Sequence, residues 1–352
     1  MATIKEQTEK TEQLKTSLDS KVDSIGNIIN TKIKEKPATL TQVEDVLNRK
    51  MLGIGDIVTD VQVLDLGYPS DKNGIFTGHT EYVRALAIDN EFIYSGSGDK
   101  TVRKIRKTDM VEVGKFAGHV AKALAIDNEF IYSGGYDNTV RRIRKSDMVE
   151  VGKFTGHTNY VKALAIDNEY IYSGSDDKTV RKIRKSDMVE VSKFTGHTHY
   201  VEALAIDNEF IYSSSQDSTV RKIRKTDMVE VGKFAGHVAK ALAIDNEFIY
   251  SGGYDKTVRK IGKSDMVEVG KFTGHTSLVE ALAIDNEFIY SGSQDRTVRK
   301  IRKSDMTEAD EFTGHINSVY ALAVDNEFIY SSSNDSTVRK WFKYILYKII
   351  SI

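Results

Sequence analysis

A chain of 352 residues, 40% apolar and 29% charged, has an ordinary globular composition and room for two domains or one large repeat domain. Fifty basic residues against 51 acidic ones leave a net charge of −1, which excludes a general attraction to nucleic acid or to an anionic membrane surface. The absence of cysteine excludes disulfides, thiolate zinc sites and a cysteine nucleophile.

The N-terminus, "MATIKEQTEK", is polar and lacks the apolar core of a signal peptide. No run of about 18 apolar residues occurs anywhere, so no transmembrane helix is expected and the cytoplasm is the default location. Over residues 1–36, Leu14, Leu18, Val22, Ile25, Ile29 and Ile33 form an apolar stripe at helical spacing. The stripe is too narrow to make a core alone. A short coiled coil that joins identical subunits is the favoured reading, and packing on the rest of the chain is the rival. Pro37 ends this helix, and residues 37–59 read as a linker with a second short helix. There "TLTQVEDVLNRKMLG" sets Thr41 and Glu44 at capping-box spacing and stops at Gly53. "DVQVLDL", Asp60 to Leu66, reads as a strand.

A repeat then takes over. "GH" recurs at His79, His119, His157, His197, His237, His275 and His315, at spacings of 40, 38, 40, 40, 38 and 40 residues. A period of that length means one supersecondary unit copied along the chain. In the first copy, "YVRALAI" (Tyr82 to Ile88) reads as a strand closed by the turn "DNE", and "FIYSGS" (Phe92 to Ser97) as a second. "TVRKIRK" (Thr101 to Lys107) and "MVEVGKF" (Met110 to Phe116) follow as half-exposed strands. The first two are apolar on both faces, as between stacked sheets, and four strands per 40 residues describes a propeller blade.

The pattern "GHTxxVxALAxD…SGSxDxTVRK", from Phe76 to about Phe342, resembles the WD40 repeat family. The resemblance implies an all-β, seven-bladed β-propeller over residues 60–352, with repeats starting at 76, 116, 154, 194, 234, 272 and 312. It also implies a buried His–Ser–Asp–Trp tetrad in each blade. Here the tetrad is cut to a triad in six blades, because the Trp-Asp pair is replaced, by "IR" at Ile105 and Arg106 in the first. The triad is His79, Ser95 and Asp99 in blade one, and His157 with Asp177 and His197 with Asp217 belong to the third and fourth. Only blade seven keeps its indole, Trp341.

These residues invite other readings, and each is set aside. A His–Ser–Asp set that recurs in all seven copies satisfies buried polar groups, whereas a catalytic triad needs one exposed, distinct place. The carboxylates of "DNE" offer too few converging oxygens for calcium. The basic residues of "VRKIRK" sit beside Asp89, Glu91, Asp109 and Glu112, which reads as a solvated, mutually neutralised rim. No catalysis, cofactor or metal is therefore expected.

The copies differ at two loops that share one face of the fold, the top. The residue before the turn Asp is Gly98, Tyr136, Asp176, Gln216, Tyr254, Gln294 and Asn334 in turn. Tyr82, Tyr160 and Tyr200 follow "GHT" in blades one, three and four, and Leu278 takes their place in blade six. The two 38-residue copies lose that loop tyrosine but carry Tyr136 and Tyr254 at the turn instead. Blades one to five thus each offer one tyrosine. Just inside lie Arg84, Lys122, Lys162, Glu202, Lys240, Glu280 and Tyr320. Tyrosine ringed by fixed charge suits protein recognition, since it offers large area at low rotamer entropy. The expected function is a non-catalytic scaffold that binds a protein or peptide, and neither nucleic acid nor membrane, through Tyr82, Tyr136, Tyr160, Tyr200, Tyr254, Leu278, Gln216 and Gln294. The alternative is a structural or surface assembly protein, viral, adhesive or filamentous, oligomerised by its N-terminal helix.

Three further expectations follow. "DNE" never varies, so the opposite face reads as uniform, and alanine at Asp89 or Glu91 should cost little. Blade seven lacks a "DMVEVGKF" segment, so residues between Asp60 and Phe76 should supply its outer strand. The tail "WFKYILYKIISI", apolar and without a turn residue, should be covered. A super-period of 118 residues, with the short copy second each time, points to growth by duplication of a three-blade block.

Overall fold

The structure, a computed structural model, describes residues 61–65, 74–343 and 347–351. The helices expected over 1–36 and 37–59 lie outside the described residues. Residues Lys72–Trp341 form one unit of seven four-stranded antiparallel sheets, a seven-bladed propeller. In blade one the strands run from inner to outer as Val83–Ile88, Phe92–Ser97, Thr101–Arg106 and Glu112–Ala117. Inner strands of successive blades pack side by side around the ring, and Val319–Val324 of blade seven meets Val83–Ile88 of blade one.

Blade seven is completed across the gap in sequence. Its outer strand is Ile75–Phe76, paired as Ile75 with Arg339 and Phe76 with Val338. The strand Val61–Asp65 is not part of that blade. It belongs to a second unit, where it pairs antiparallel with Tyr347–Ser351, Val61 opposite Ser351 and Asp65 opposite Tyr347. Closure therefore uses only the end of the expected segment, and the apolar tail finds its partner strand in the rest of it. Both pairings remove edges that would otherwise template aggregation. No helix among the described residues is long and apolar enough to cross a membrane.

The core lies between blades. Tyr94 and Val102 of blade one pack with Ala121, Ile131, Ile143 and Met148 of blade two. A sheet buried on both faces must fit its neighbours closely. At Gly96 a Cβ would stand 2.6 Å from that of Ala121, so the inner sheets approach through small residues. Farther out, Met148 takes a left-handed backbone (φ 57°) that unbranched side chains rarely adopt, and five other blades place a Met likewise. Its buried side chain fills the space above Gly114 of the preceding blade, which holds the strained turn in place.

A polar bond joins neighbouring blades beneath this packing at six interfaces. Asp89 Oδ1 accepts the amides of Glu91 (3.1 Å) and Phe92 (2.8 Å), which caps its own hairpin. Its Oδ2 accepts Tyr94 Oη (2.8 Å) and, from blade two, Lys145 Nζ (2.9 Å). Lys145 also lies 4.8 Å from the Tyr94 ring centroid. The set repeats as Lys185–Asp127, Lys225–Asp167, Lys263–Asp207 and Lys303–Asp245, and Lys107–Asp325 (2.7 Å) spans the closure. Burial alone would raise these carboxyls, but the lysine, the tyrosine and the amides outweigh it. All six sit below the usual range, Asp245 at about 2.

Two expectations are corrected here. The "VRKIRK" segment is not a solvated rim. Arg103 pairs with Glu112 at 2.5 Å, Lys104 donates to the Lys145 carbonyl at 3.1 Å, and Lys107 is 7% exposed, so only Arg106 with Asp109 forms a surface pair. Nor is Asp89 a spare surface acid, because it holds three elements and two blades together. Glu91 alone of that pair keeps an exposed side chain.

Replacing Asp167 by Ala leaves Lys225 and Tyr172 without their common acceptor and should lower stability by about 2 kcal/mol or more. Adding Lys225→Met removes the orphaned cation and should recover part of that loss. Chemical denaturation measures both, and an Asp167→Ala midpoint equal to wild type would mean that the inter-blade bond is idle.

Candidate functional site

Two loops of each blade build the top face. One backbone bond clamps them together: Gly98 N to Tyr82 O (2.9 Å), Asp176 N to Tyr160 O (3.0 Å), Gln216 N to Tyr200 O (2.9 Å) and Gln294 N to Leu278 O (2.9 Å). Below the clamp a buried chain fixes the loop bases. His79 Nδ1 donates to Asp99 (2.7 Å), and its Nε2 accepts from Ser95 Oγ (2.7 Å). His157 repeats this with Asp177 and Ser173, and His197 with Asp217 and Ser213. In blade seven Trp341 Nε1 donates to Ser331 Oγ at 2.7 Å, which extends the chain to four residues.

Blades two and five depart from the expectation that the triad recurs identically in all seven copies. His119 still meets Asp137 (3.0 Å) and His237 meets Asp255 (3.2 Å), but His119 Nε2, Ser133 Oγ, His237 Nε2 and Ser251 Oγ are buried without partners. The shortened loop lays each histidine ring against Gly135 or Gly253, with no room for a Cβ there. The ring thereby leaves its serine.

The five tyrosines do not form an even arc. Tyr82, Tyr136 and Tyr160 gather into one cluster over blades one to three. The Tyr136 and Tyr160 rings meet edge to face at 4.8 Å, the Tyr136 hydroxyl lies near Tyr82, and Tyr82 covers Gly98. Tyr200 stacks with His199 at 4.3 Å instead. Tyr254 stands near Gln216, whose Nε2 is 3.4 Å from its hydroxyl. Tyr160 and Tyr254 keep 40% and 45% of their surface, enough to offer a partner, while Leu278 is half-buried and Gln294 exposed.

Inside the tyrosines each inner strand contributes one residue to a ring of charge. Glu202, buried, is its hub: it accepts Lys162 (3.0 Å), Lys240 (2.8 Å) and Gln216 Nε2 (2.5 Å). Lys162 also reaches Asp176 at 2.7 Å, and Gln294 holds Glu280 at 2.8 Å. The other side of the ring lacks such compensation. Arg84 stacks on the rings of Tyr320 (4.1 Å) and Tyr82 (4.9 Å), and its nearest acceptor is the Tyr320 hydroxyl at 3.3 Å. Among the described residues Lys122 makes no ion pair; the Tyr136 ring centroid lies 5.8 Å from it, and Glu202 and Asp176 act on it only from farther off. Burial, with Arg84, Lys240 and Lys162 nearby, pushes its ammonium down to about 7. Lys240 occupies the equivalent place in blade five, yet Glu202 and Glu280 outweigh its burial and raise its pKa. Reading one copy at a time shows these residue types but not who faces whom, so Asp176 and Tyr320 gain their roles only in the closed ring.

On the opposite face, a groove of about 830 Å³ runs between blades two and three past Phe130, Tyr170 and Arg142, but its Asp127 and Lys185 are consumed by the inter-blade bond. Among the described residues no cluster of three or more His, Cys, Asp or Glu is placed to hold a metal ion.

The family model described as WD domain, G-beta repeat, matches residues 70–104, 148–182, 188–222, 266–300 and 306–341. The stretches it omits contain blades two and five, the two whose histidine has left its serine. Among solved structures, the chain is similar to the WD40 beta propeller domain of Doa1, at 23% identity and a TM-score of 0.71 over 79% of this chain and 97% of that one. It is also similar to the computationally designed Ika8 protein, at 22% identity and 0.63 over 75% and 97%. Both show the fold. No curated protein matches the chain.

Two pH dependences follow. Burial outweighs the carboxylate at His79, His197, His237 and His315, so their folded pKa lies below the unfolded value. The unfolded chain then binds more protons, and stability is full above about pH 6.5 and falls as pH drops below it. For Lys122 the folded value of about 7 lies below that of the unfolded chain, so stability rises between about pH 7 and about pH 10. Lys122→Met should remove that alkaline rise and stabilise the protein at neutral pH by roughly 1 kcal/mol. Thermal melts across pH test both, and a Lys122→Met protein less stable than wild type would overturn the assignment.

Proposed function

The chain belongs to the WD40 repeat family, and from that premise we propose that its propeller is a non-catalytic interaction scaffold which binds a protein or peptide through its top face. One observation carries this reading. The copies are nearly identical everywhere except at the top loops, and there Tyr82, Tyr136, Tyr160, Tyr200 and Tyr254 arrive by two different routes from five consecutive blades. A loop that merely tolerated change would not readily regain a tyrosine as it shortened, and both copies of the shortened blade keep theirs. Gln216, Gln294 and Leu278 fill the remaining positions and give a near-symmetric ring one orientation for its ligand. The frame beneath is rigid, because each top loop is clamped by backbone and anchored through a buried histidine. Little ordering entropy is then left to be lost on binding.

The test is a double substitution, Tyr160→Ala with Tyr200→Ala, assayed against a partner isolated with the full chain from its native cells. A buried hot-spot aromatic costs about 2 kcal/mol when truncated, so affinity should fall at least about a hundredfold while the melting temperature stays put. The control is Asn90→Ala with Glu91→Ala, whose side chains are exposed on the opposite face. Loss of binding in the control and not in the tyrosine variant would place the platform on the other side.

A further inference from the structure

We propose that Arg84 and Lys122, neighbouring cations on the inner strands of blades one and two, form an oxyanion site on the top face that receives a carboxylate of an acidic peptide segment. This deepens the top-face reading and rests on it.

The cations of the ring are unequally compensated. Three cations of the ring stand in equivalent places on blades two, three and five, and two of them are fully paired: Lys162 with Asp176 and Glu202, Lys240 with Glu202. Among the described residues Lys122 forms no ion pair, with Glu202 and Asp176 acting on it only at a distance, and Arg84 offers its guanidinium to aromatic rings and one phenol while its buried Nε has no acceptor. A partly desolvated, unpaired cation costs stability, and here two stand on neighbouring inner strands. Nothing in the fold needs the charge. Blade five shows that a lysine at this place on the inner strand is satisfied when its neighbours are acidic, so the uncompensated pair comes from the choice of Arg84 and Lys162 on either side of Lys122. Residues that cost stability without a structural return are those a binding site retains. A guanidinium and an ammonium side by side supply what one carboxylate needs, and their half-buried setting strengthens the bond.

The surroundings choose the ligand class. Glu202, Asp176 and Glu280 occupy the rest of the ring, and the whole chain carries a net charge of −1. A polyphosphate backbone requires an extended basic track and would meet these carboxylates at its next charge. A peptide can place one acidic side chain at Arg84 and Lys122 and rest its apolar or aromatic neighbours on the rings of Tyr136 and Tyr160.

The experiment uses the full chain and a fluorescein-labelled tetraglutamate at low salt, followed by anisotropy, with labelled tetralysine and a labelled single-stranded 12-nucleotide DNA in parallel. Tetraglutamate should bind and the other two should not. Lys122→Met and Arg84→Leu should each weaken it at least about tenfold, whereas Lys115→Ala, on the exposed outer strand, should leave it unchanged. The charged groups that face Lys122 are Arg84, Lys162, Lys240, Glu202 and Asp176, with Tyr136 beside them. A bound carboxylate holds Lys122 in its charged form, so affinity should fall as pH rises from about 6 to about 9. Lys122→Arg should bind with a flat profile over the same range, a result that a merely structural lysine would not give. Equal binding of tetralysine, or tetraglutamate affinity indifferent to Lys122 and Arg84, overturns the proposal. Displacement of tetraglutamate by the DNA through the same two residues overturns it in favour of nucleic acid. The two readings also fail separately. If the tyrosine double variant loses its native partner while Lys122→Met keeps it, the platform stands and the oxyanion site falls. If tetraglutamate depends on Lys122 but the partner ignores the tyrosines, the platform falls.

Discussion

In six blades a buried lysine reaches back one blade to an aspartate that already caps a hairpin and holds a tyrosine, and the propeller depends on that bond recurring around the ring. A four-stranded sheet with two apolar faces cannot be stable alone, and stacking buries the faces without fixing their angle. The lysine bond fixes it. Lys145 and Asp89 stand 56 residues apart in sequence and 2.9 Å apart in space, and Lys107 with Asp325 repeats the contact across 218 residues. The last bond can form only when all blades are present and in register. Because the lysine is buried and the aspartate caps its own turn, neither can drift in any copy. Constancy of "DNE" on one face is what leaves the other face free to vary.

Fold and period were legible in the sequence because they are properties of single copies. Apolar alternation, the "DNE" and "DxT" turns and the glycines of "SGS" are local, and seven nearly equal copies average away the noise. The bond between copies was not legible in the same way. Asp89, Tyr94 and Lys107 are each invariant along the repeat, but the invariance does not say that the lysine partner of Asp89 is Lys145, one copy on. An invariant acidic turn beside a basic strand looks the same whether solvent or a neighbour neutralises it. The remaining signal was that lysine persists in "IGK" at Lys263, where the preceding arginine has become Gly262.

The same limit applies to blades two and five. Their missing residues are plain in the sequence, and so is the tyrosine that returns. What a deletion of two residues does to a buried histidine is a matter of where its ring then points, and only the packing against Gly135 and Gly253 decides it. The candidate site was legible as a set of varying positions and not as a geometry. Tyr82, Tyr136 and Tyr160 form one cluster, whereas Tyr200 turns to His199 beside it in its own loop and Tyr254 to Gln216 of the neighbouring blade.

Blades two and five are close copies, and this makes the propeller its own control. Both read "GHVAKALAIDNEFIYSGGYD", and both place a lysine on the inner strand beside a turn tyrosine. Lys240 lies between Glu202 and Glu280 and is held charged, while Lys122 lies between Arg84 and Lys162 and is not. The difference arises outside the duplicated segment, from single residues at equivalent places in the flanking blades. In a closed ring a residue's electrostatic environment is set by the copies on either side, so duplicating a block of blades preserves the fold and changes the site at once. A chain built this way can acquire a new binding chemistry by substitutions that touch neither the core nor the loop that carries the functional side chain.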